Sequence, residues 1–293
     1  MLETPVLLII FNRPNLTEKA LNAIARVKPR RLFIAADGPR PSFPDDAGLC
    51  MHARQIATSV SWDCEISTLF QEKNIGCGRG PAGAIDWLFK NTKQGIILED
   101  DCIPHPSFFK FCEELLHYYR DEPKVMHISG DNFQFGRKRG KASYYFSKYT
   151  HNSGWATWRR AWKYFDFSLL PEGSREHIWD IQWRLSVDKQ DGVSILPNQN
   201  LVTYIGIGPD ATHTKTIGRT TLLQAGKMIF PLVHPKKIEL NNSADAFTKY
   251  FVYRKKNKKL VCLYRVRDYL QDKFPGFYQV LKKIKDTIFI IFV

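Results

Sequence analysis

Short apolar runs and amphipathic stretches alternate along the first part of the chain. The runs are almost continuous in apolar residues, which is typical of parallel strands buried on both faces of a sheet. This alternation predicts an α/β fold, an open sheet of mainly parallel strands flanked by helices. Asn15 is predicted to cap the first helix, with Glu18 in the capping-box position. The predicted strands are residues 5–11, 30–39, 64–71, 95–101 and 125–133, and the predicted helices lie within 15–27, 45–60, 74–91 and 107–120.

Polar and charged side chains follow four of the predicted strands. Arg13 comes after the first strand, Asp37 ends the second, an acidic triplet at residues 99–101 ends the fourth, and Asp131 lies at the end of the fifth. In open α/β sheets, ligands bind at the carboxyl ends of the strands. The sequence therefore predicts one shared site at that edge of the sheet.

The pattern changes beyond about residue 143, where aromatic residues become dense. Trp155, Trp158 and Trp162 lie three and four residues apart, which is the spacing of one helical face and predicts a helix packed on the core. Further helix and short strands are predicted within 174–190 and 193–216, and an irregular segment within 220–247. We expect one domain over residues 1–250, with halves 1–135 and 136–250, and a separate tail over 251–293.

The composition is that of a globular protein, but the charge is concentrated near the end of the chain. The 293 residues carry a formal net charge of +14 and are 44% hydrophobic. Residues 254–285 hold many Lys and Arg side chains among apolar ones, and residues 287–293 are almost wholly apolar. A basic, amphipathic tail of this kind predicts peripheral attachment to an anionic membrane surface. The alternative is a C-terminal helix packed on the core with its basic face in solvent.

The sequence lacks the signals of secreted, membrane-spanning and nucleic-acid-binding proteins. The apolar run near the N-terminus is short and lacks a basic flank and a cleavage site, and no stretch reaches the roughly 18 apolar residues that span a bilayer. The six cysteines form no C-x-x-C pair, which favours free thiols in a reducing compartment. We therefore expect a cytoplasmic protein, peripheral on the inner face of a membrane. The tail contains no recognisable nucleic-acid-reading module, so we expect no nucleic acid as a partner.

The acidic triplet Glu99-Asp100-Asp101 is a candidate site for a hard divalent cation. Carboxylates suit Mn²⁺ or Mg²⁺, whose remaining ligands come from water and substrate phosphates. Such an ion would relieve the repulsion among the three acids and neutralise a leaving diphosphate. The alternative is a solvated turn that holds three unrelated acids.

Three other features fit a nucleotide diphosphate. Arg13 is suited to bidentate contact with phosphate, and Asp37 can accept hydrogen bonds from a base or a ribose. The glycine-rich segment 74–80 contains Arg79 and leads into a helix, where its backbone could approach phosphate. Both turns have plain structural alternatives, because Asp-Gly turns are common and the glycine spacing matches no phosphate-binding motif.

The segment ILEDDCIPHPSFFKFCEELLHYY (97–119) resembles the metal-site segment of GT-A-fold glycosyltransferases, among them the N-acetylglucosaminyltransferase I group. The resemblance continues in order through SGDN, SGWATWRRAW, IWDIQW and a loop with THT, and the strands ending in FNRP and IAADGP look like the nucleotide-binding strands of that family. The chain is similar also to bacterial family-2 glycosyltransferases. The resemblance covers about residues 5–216, so the tail lies outside it.

The resemblance implies a GT-A (Rossmann-like) mixed sheet and an inverting sugar transferase that uses Mn²⁺ or Mg²⁺. Its donor would be a UDP-sugar similar to UDP-GlcNAc, and its acceptor a glycan or a lipid-linked sugar. By match to the motif, Asp101 contacts the metal, Asp100 the ribose or diphosphate side, and Glu99 the donor sugar. Asp37 would read the uracil, and Arg13 would lie by the nucleotide.

The resemblance also implies two residues of the second half. Asp180, in IWDIQW, would be the general base, although Ile181 stands where the family member has a second acid. His213 would lie near the diphosphate or the metal. From the residues alone, an ordinary acid in the first turn of a helix is the favoured interpretation of Asp180, and Asp131 is a rival base because it too lies at a strand end.

Two other functions are compatible with the sequence. A sugar nucleotidyltransferase could be built on a related sheet, but it would need a stronger phosphate loop after the first strand than FNRPNLTEK provides. A non-catalytic, membrane-associated binding protein would use the basic tail alone.

Overall fold

A computed structural model of the chain describes residues 1–170, 178–208 and 218–253. His213, residue 174 and the basic tail from 254 onward lie outside the described residues, so the predictions made for them stay predictions. The chain divides into two compact units, Met1–Asn241 and Asn242–Val293. In the second unit, the described part is a short helix followed by one π-helical turn, Lys249–Tyr253.

The described part of the first unit is built from ten strands and six helices, and it also has a short 3₁₀ turn at Thr220–Leu222. The strands are β1 (Val6–Ile10), β2 (Arg31–Ala36), β3 (Glu65–Phe70), β4 (Gln94–Glu99), β5 (Cys102–Pro104), β6 (Val125–Ser129), β7 (Tyr144–Ser147), β8 (Trp155–Trp158), β9 (Val193–Pro197) and β10 (Val202–Tyr204). The helices are α1 (Pro14–Ala25), α2 (Asp46–Thr58), α3 (Gly76–Asn91), α4 (Pro106–Tyr118), α5 (Arg159–Trp162) and α6 (Trp179–Lys189), with α7 (Asn242–Thr248) in the second unit.

Eight of these strands form one mixed sheet in the order β3-β2-β1-β4-β8-β6-β9-β7. The first four are parallel to one another; Arg31 of β2 lies opposite Glu65 of β3, and Val6 of β1 lies opposite Ile96 of β4. Strand β8 is antiparallel to both of its neighbours, β4 and β6, and β7 is antiparallel to β9. A separate pair, β5 and β10, is antiparallel. The predicted α/β class, a Rossmann-like mixed sheet flanked by helices, is confirmed.

The parallel strands read as apolar runs because both of their faces are covered. Val6, Leu8 and Ile10 of β1 belong to one buried cluster, which includes apolar side chains of α1, α2 and α4. Leu7 belongs to the other, with side chains of α3 and α6 such as Trp183. Because neighbouring residues of a strand point to opposite faces, a doubly covered strand leaves little room for polar side chains until it ends.

The start of α1 corrects one prediction. The helix begins at Pro14, and its N-cap residue is Arg13, not Asn15. Proline is common at the first helical position, because a backbone N–H there would have no partner within the helix and its absence costs nothing. The backbone oxygen of Arg13 accepts the N–H groups of Leu16 and Thr17, at 3.1 and 3.0 Å. The cap therefore fixes the backbone of Arg13 directly after β1.

The aromatic stretch corrects another. The predicted helix through Trp155, Trp158 and Trp162 is wrong, because Trp155–Trp158 forms strand β8 and only Arg159–Trp162 is helical. Trp155 still lies in the core, where it stacks on Trp179 with ring centroids 5.7 Å apart. The three-four spacing was misleading, since a strand that runs directly into a helical turn also buries these indoles.

Two further expectations concern the described residues only. Cys50, Cys64, Cys77, Cys102 and Cys112 are free thiols, as predicted. None of the described helices is long and apolar enough to cross a membrane.

Two glycines give a matched test of the packing. A Cβ at Gly130 would lie 2.5 Å from Val202 Cγ2 and 2.8 Å from the backbone oxygen of Gly154, whereas a Cβ at Gly48 in α2 meets nothing within 4 Å. We expect Gly130→Ala to lower the free energy of unfolding by about 1–3 kcal/mol through overpacking. Gly48→Ala should raise it by about 0.5–1 kcal/mol, since alanine loses less entropy in a helix. Urea unfolding of both variants checks this, and equal stabilities would contradict it.

Candidate functional site

A cleft of about 300 Å³ lies where the parallel strands β1 to β4 end. Its floor is apolar, and its polar lining comes from the residues that follow each strand and from the start of α3. This is the edge at which open α/β sheets bind ligands. The polar and glycine lining residues are Asn12, Arg13, Asp37, Arg40, Gln71, Asn74, Gly76, Gly80, Glu99 and Asp100.

The positive charge beside the acidic triplet is Arg13. Its guanidinium forms a two-pronged pair with Asp100, through Nη2 to Oδ1 and through Nε to Oδ2 (3.3 Å), and Nη2 also lies 3.0 Å from Asp101 Oδ2. Burial on its own would lower the pKa of Arg13, but Asp100 and Asp101 raise it above its usual value. The guanidinium therefore stays charged and offsets the cost of two adjacent buried carboxylates.

Asp101 does not line the cleft, although Arg13, which contacts it, does. The side chain of Asp101 is 9% exposed, and Cys102 Sγ lies 3.6 Å from Oδ1. The chain passes close by at Gly206, where a Cβ would clash with Asp101 Oδ2. Only glycine therefore fits at this position, beside the oxygen that contacts Arg13.

Glu99 and Asp180 lie near each other at the same edge. Burial, together with Asp101, Asp100 and Asp180, raises the pKa of Glu99 well above its usual range. Asp180 is in the first turn of α6, partly exposed, and its Oδ1 accepts the N–H of Ile181 at 2.8 Å. The structure thus brings a residue of the second half to the end of β4.

Asp131, the rival base, lies after β6. It is 3% exposed, and its Oδ2 accepts the backbone N–H of Ser153 at 3.2 Å. Burial raises the pKa of Asp131 to about 7. Burial raises the pKa of Cys102, and the charges of Asp101, Glu99 and Asp131 raise it further, so Asp131 lies near the triplet. It does not line the cleft.

Asp37 holds the start of α3. Its two oxygens accept the N–H groups of Gly38, Ile75 and Gly76 and the side-chain amide of Asn74, at 2.8–3.0 Å. In this arrangement the carboxylate is occupied by its own chain, and contact with a base remains a prediction. Arg79 is exposed on α3 and does not line the cleft; its guanidinium lies 6.0 Å from the ring centre of Phe167.

One wall of the cleft is formed by residues that the sequence did not single out. Arg40 donates from Nε and Nη2 to the carboxylate of Asp46, at 2.6 and 3.0 Å, and stacks over Phe43. Asn12 donates to the same carboxylate at 2.7 Å. These bonds, led by those of Arg40, lower the pKa of Asp46 to about 2. The available signal was an acid at the start of α2 and an arginine in the preceding proline-rich turn.

A buried histidine ties α6 to the sheet. Trp183 of α6 donates from Nε1 to His127 Nδ1 at 3.1 Å, so His127 carries its proton on Nε2 and donates it to the backbone oxygen of His151 at 3.0 Å. Burial lowers the pKa values of His127 and His151 to about 3. Both rings are therefore neutral at pH 7, and Trp183 fixes α6 one turn after Asp180.

The acidic triplet at the end of β4 has the donor atoms that suit a hard divalent cation. Asp100 and Asp101 offer carboxylate oxygens of the kind that Mn²⁺ and Mg²⁺ prefer, and the guanidinium of Arg13 is a stand-in cation on both. Within the described residues, no group of three or more His, Cys, Asp or Glu side chains is arranged to hold a metal. A metal at this edge would therefore need ligands from substrate, from water or from residues outside the described ranges.

Comparison with known proteins gives likeness of fold only. The sequence matches no protein-family profile and no curated protein sequence. A mannosyltransferase from Pyrobaculum calidifontis, solved with GDP-Man and Mn²⁺, superposes with a TM-score of 0.49 at 12% identity over 72% of this chain. A UDP-glucose pyrophosphorylase solved with UDP-glucose gives 0.39 at 10% identity over 66% of this chain and 89% of its own. A cytidylyltransferase from Leptospira borgpetersenii gives 0.37 at 10% identity, covering 64% and 73%.

The match to the mannosyltransferase spans 59% of the length of that protein. None of these three structures is an N-acetylglucosaminyltransferase, so the likeness to that group remains a prediction. At these identities and TM-scores the likeness assigns no activity to this chain.

The buried histidines predict acid sensitivity. An unfolded histidine takes up a proton near pH 6.5, whereas burial keeps the pKa of folded His127 near 3. Between these two pH values the unfolded state binds more protons than the folded state. The contribution of neutral His127 to the free energy of unfolding is therefore fully present above about pH 6.5 and is lost as the pH falls toward 3. We expect His127→Gln to reduce this slope by about one proton, or ~1.4 kcal/mol per pH unit.

Urea unfolding of both proteins at several pH values between 4 and 7 measures the difference, and other titrating groups cancel in it. His117→Gln, on the exposed side of α4, is the control and should keep the wild-type slope. Equal slopes for His127→Gln and the wild type would contradict the expectation.

Proposed function

We propose that the chain is an inverting, metal-dependent glycosyltransferase of the GT-A type, which takes a nucleotide-sugar in the cleft. The donor we propose is a UDP-sugar, and the acceptor a glycan or a lipid-linked sugar. The observation that carries the proposal is the cleft itself. It joins the ends of four parallel strands, the start of α3, the partly buried Arg13 and two acids of the triplet, Glu99 and Asp100, around one volume of about 300 Å³.

The donor half of the cleft supports this substrate class. The apolar floor suits a base and ribose, and the polar edge at Arg13 and Asp100 suits charged groups. Arg13 is the natural partner for a diphosphate, because its fork geometry matches phosphate oxygens. Glu99, partly open to the cleft beyond Asp100, is in a suitable place to bind hydroxyls of the donor sugar.

The metal site that we propose uses Asp101, with Asp100 beside it and His213 as a further candidate ligand. A bound Mn²⁺ or Mg²⁺ would supply positive charge for the leaving diphosphate. The protein's part is to hold the two carboxylates at the end of β4. Arg13 adds a second positive charge on the diphosphate side.

We propose Asp180 as the general base that takes the proton from the acceptor hydroxyl. Asp180 is partly exposed, near Glu99, and held by α6, whose position Trp183 and His127 fix. A base next to the sugar-binding acid is where an inverting displacement needs one. Burial raises the pKa of Asp131 to about 7, which suits a general base, but Asp131 is 3% exposed, which leaves it less accessible to an acceptor.

The alternatives have weaker support. A nucleotidyltransferase must hold a triphosphate, but only three residues join β1 to α1, and none is a glycine. A connection this short and stiff offers little backbone to surround phosphates. Membrane attachment through the basic tail, on the cytoplasmic side, stays a proposal that rests on the sequence, as does a purely binding function.

The first test is donor binding. We expect a UDP-sugar to raise the melting temperature only when Mn²⁺ or Mg²⁺ is present, and this shift to be lost in Asp101→Asn, because the carboxylate no longer holds the metal. Asp121→Asn removes an acid whose side chain is 86% exposed and should keep the shift. Slow turnover of the donor should release UDP. Release of pyrophosphate from UTP and a sugar phosphate would instead identify a nucleotidyltransferase.

The second test separates the two candidate bases once a donor is known. Asp180→Asn should lower kcat about 10²–10⁴-fold while the affinity for the donor stays close to that of the wild type, as is typical for loss of a general base. Asp188→Asn, on the same helix and paired with Arg184, is the matched control and should remain active. If Asp131→Asn loses kcat and Asp180→Asn does not, Asp131 is the base.

A further inference from the structure

Arg13 occupies the side of Asp101 that a divalent cation would need. Its Nη2 lies 3.0 Å from Asp101 Oδ2, and it is paired with Asp100 at the same time. The chain at Gly206 packs so closely against this same oxygen that a Cβ there would clash with it. The part of Asp101 that is best placed to accept a cation therefore already has one, and it belongs to the protein.

The guanidinium can leave Asp101 without disturbing the fold. The backbone of Arg13 is fixed as the N-cap of α1, since its oxygen accepts the N–H of Leu16 and Thr17. Its side chain is 24% exposed and lines the cleft. It has a two-pronged contact with Asp100 but a single contact with Asp101. Rotation of the outer side-chain bonds that turns Nη2 into the cleft would break its contacts with Asp101 Oδ2 and Asp100 Oδ1, and the Nε bond to Asp100 would remain.

A guanidinium and a divalent cation exclude each other at one carboxylate oxygen. Both are positive, and their repulsion at ion-pair distance is strong where water is scarce. In the absence of substrate, the guanidinium is the better placed of the two, because it is covalently attached and its effective concentration is high. An incoming diphosphate changes this balance, since it offers the guanidinium two new acceptor oxygens.

We infer that Arg13 is an internal counter-ion that holds the place of the divalent cation on Asp101 until the donor arrives. This inference rests on the proposed function, because it requires a metal–diphosphate complex in the cleft. On donor binding, Arg13 moves from Asp101 to the diphosphate, and the metal takes its place. The protein on its own then binds metal weakly, and metal and nucleotide each increase the affinity for the other by the same factor.

The inference is tested by titrating the full chain with Mn²⁺ alone and following free Mn²⁺ by electron paramagnetic resonance. Arg13→Gln removes the competing cation, so we expect Mn²⁺ to bind at least about tenfold more tightly than to the wild type. Arg30→Gln is the matched control. It loses the same charge from a surface pair with Glu3, where the Arg30 side chain is 62% exposed, and should leave Mn²⁺ affinity unchanged. Equal or weaker binding by Arg13→Gln would overturn the inference.

A second measurement uses the melting temperature of Arg13→Gln, with and without Mn²⁺. Arg13→Gln leaves two buried acids without their counter-ion, so its melting temperature should fall below that of the wild type. Saturating Mn²⁺ should recover part of this loss, by more than it raises the melting temperature of the wild type. The double variant Arg13→Gln/Asp101→Asn should show no such recovery. A recovery that persists in the double variant, or none in Arg13→Gln, contradicts the inference.

A third measurement separates this inference from the proposed function. In the wild type, saturating UDP should tighten Mn²⁺ binding about tenfold or more. In Arg13→Gln this coupling should be smaller, because no guanidinium has to leave Asp101 before Mn²⁺ binds. Donor-dependent stabilisation with equal coupling in both proteins would leave the glycosyltransferase proposal standing and remove the role of Arg13 as place-holder. Loss of donor and metal binding in both proteins would remove the two together.

Discussion

The contact between Arg13 and the carboxylates of Asp100 and Asp101 governs the arrangement of this sheet edge. Strand β4 is buried on both faces up to Leu98, and the chain then delivers three acids within three residues. Like charges at a poorly hydrated strand end repel one another unless a cation is held beside them. The neighbouring strand β1 supplies that cation, because α1 begins directly after it and fixes Arg13 as its N-cap.

The same constraint explains which part of the fold could be predicted from the sequence. The strands β1 to β4 are covered on both faces, so their apolar runs and their polar ends are visible without a structure. That Arg13, Asp37 and Glu99 belong to one edge followed from the order of the strands alone. The cap at Asn15 and the helix through Trp155 were wrong because both rest on local spacing. The fixed φ of Pro14 determines the first, and pairing of β8 between β4 and β6 determines the second.

The side chains of the site were harder to predict than its position. Asp37 reads as a strand-end acid, yet both of its oxygens bind the start of α3, a contact with residues some forty positions away. Arg40 and Asp46 pair within a turn that shows no periodicity, and Gly206 matters only because Asp101 lies beside it. Such contacts depend on where the chain returns in space, and a single sequence carries no direct signal of that.

The second half of the unit reaches the site through polar contacts inside the core. His127 on β6 bonds Trp183 of α6 and the backbone at His151, and Asp131 follows on the same strand end. Apolar packing alone would tolerate small rotations of α6, whereas a buried hydrogen bond from an indole to one imidazole nitrogen fixes its orientation. Neutral His127 therefore lowers the stability of the fold in acid, but it fixes the orientation of α6. Asp180 stands one turn before Trp183, so its position near Glu99 depends on the bond between Trp183 and His127.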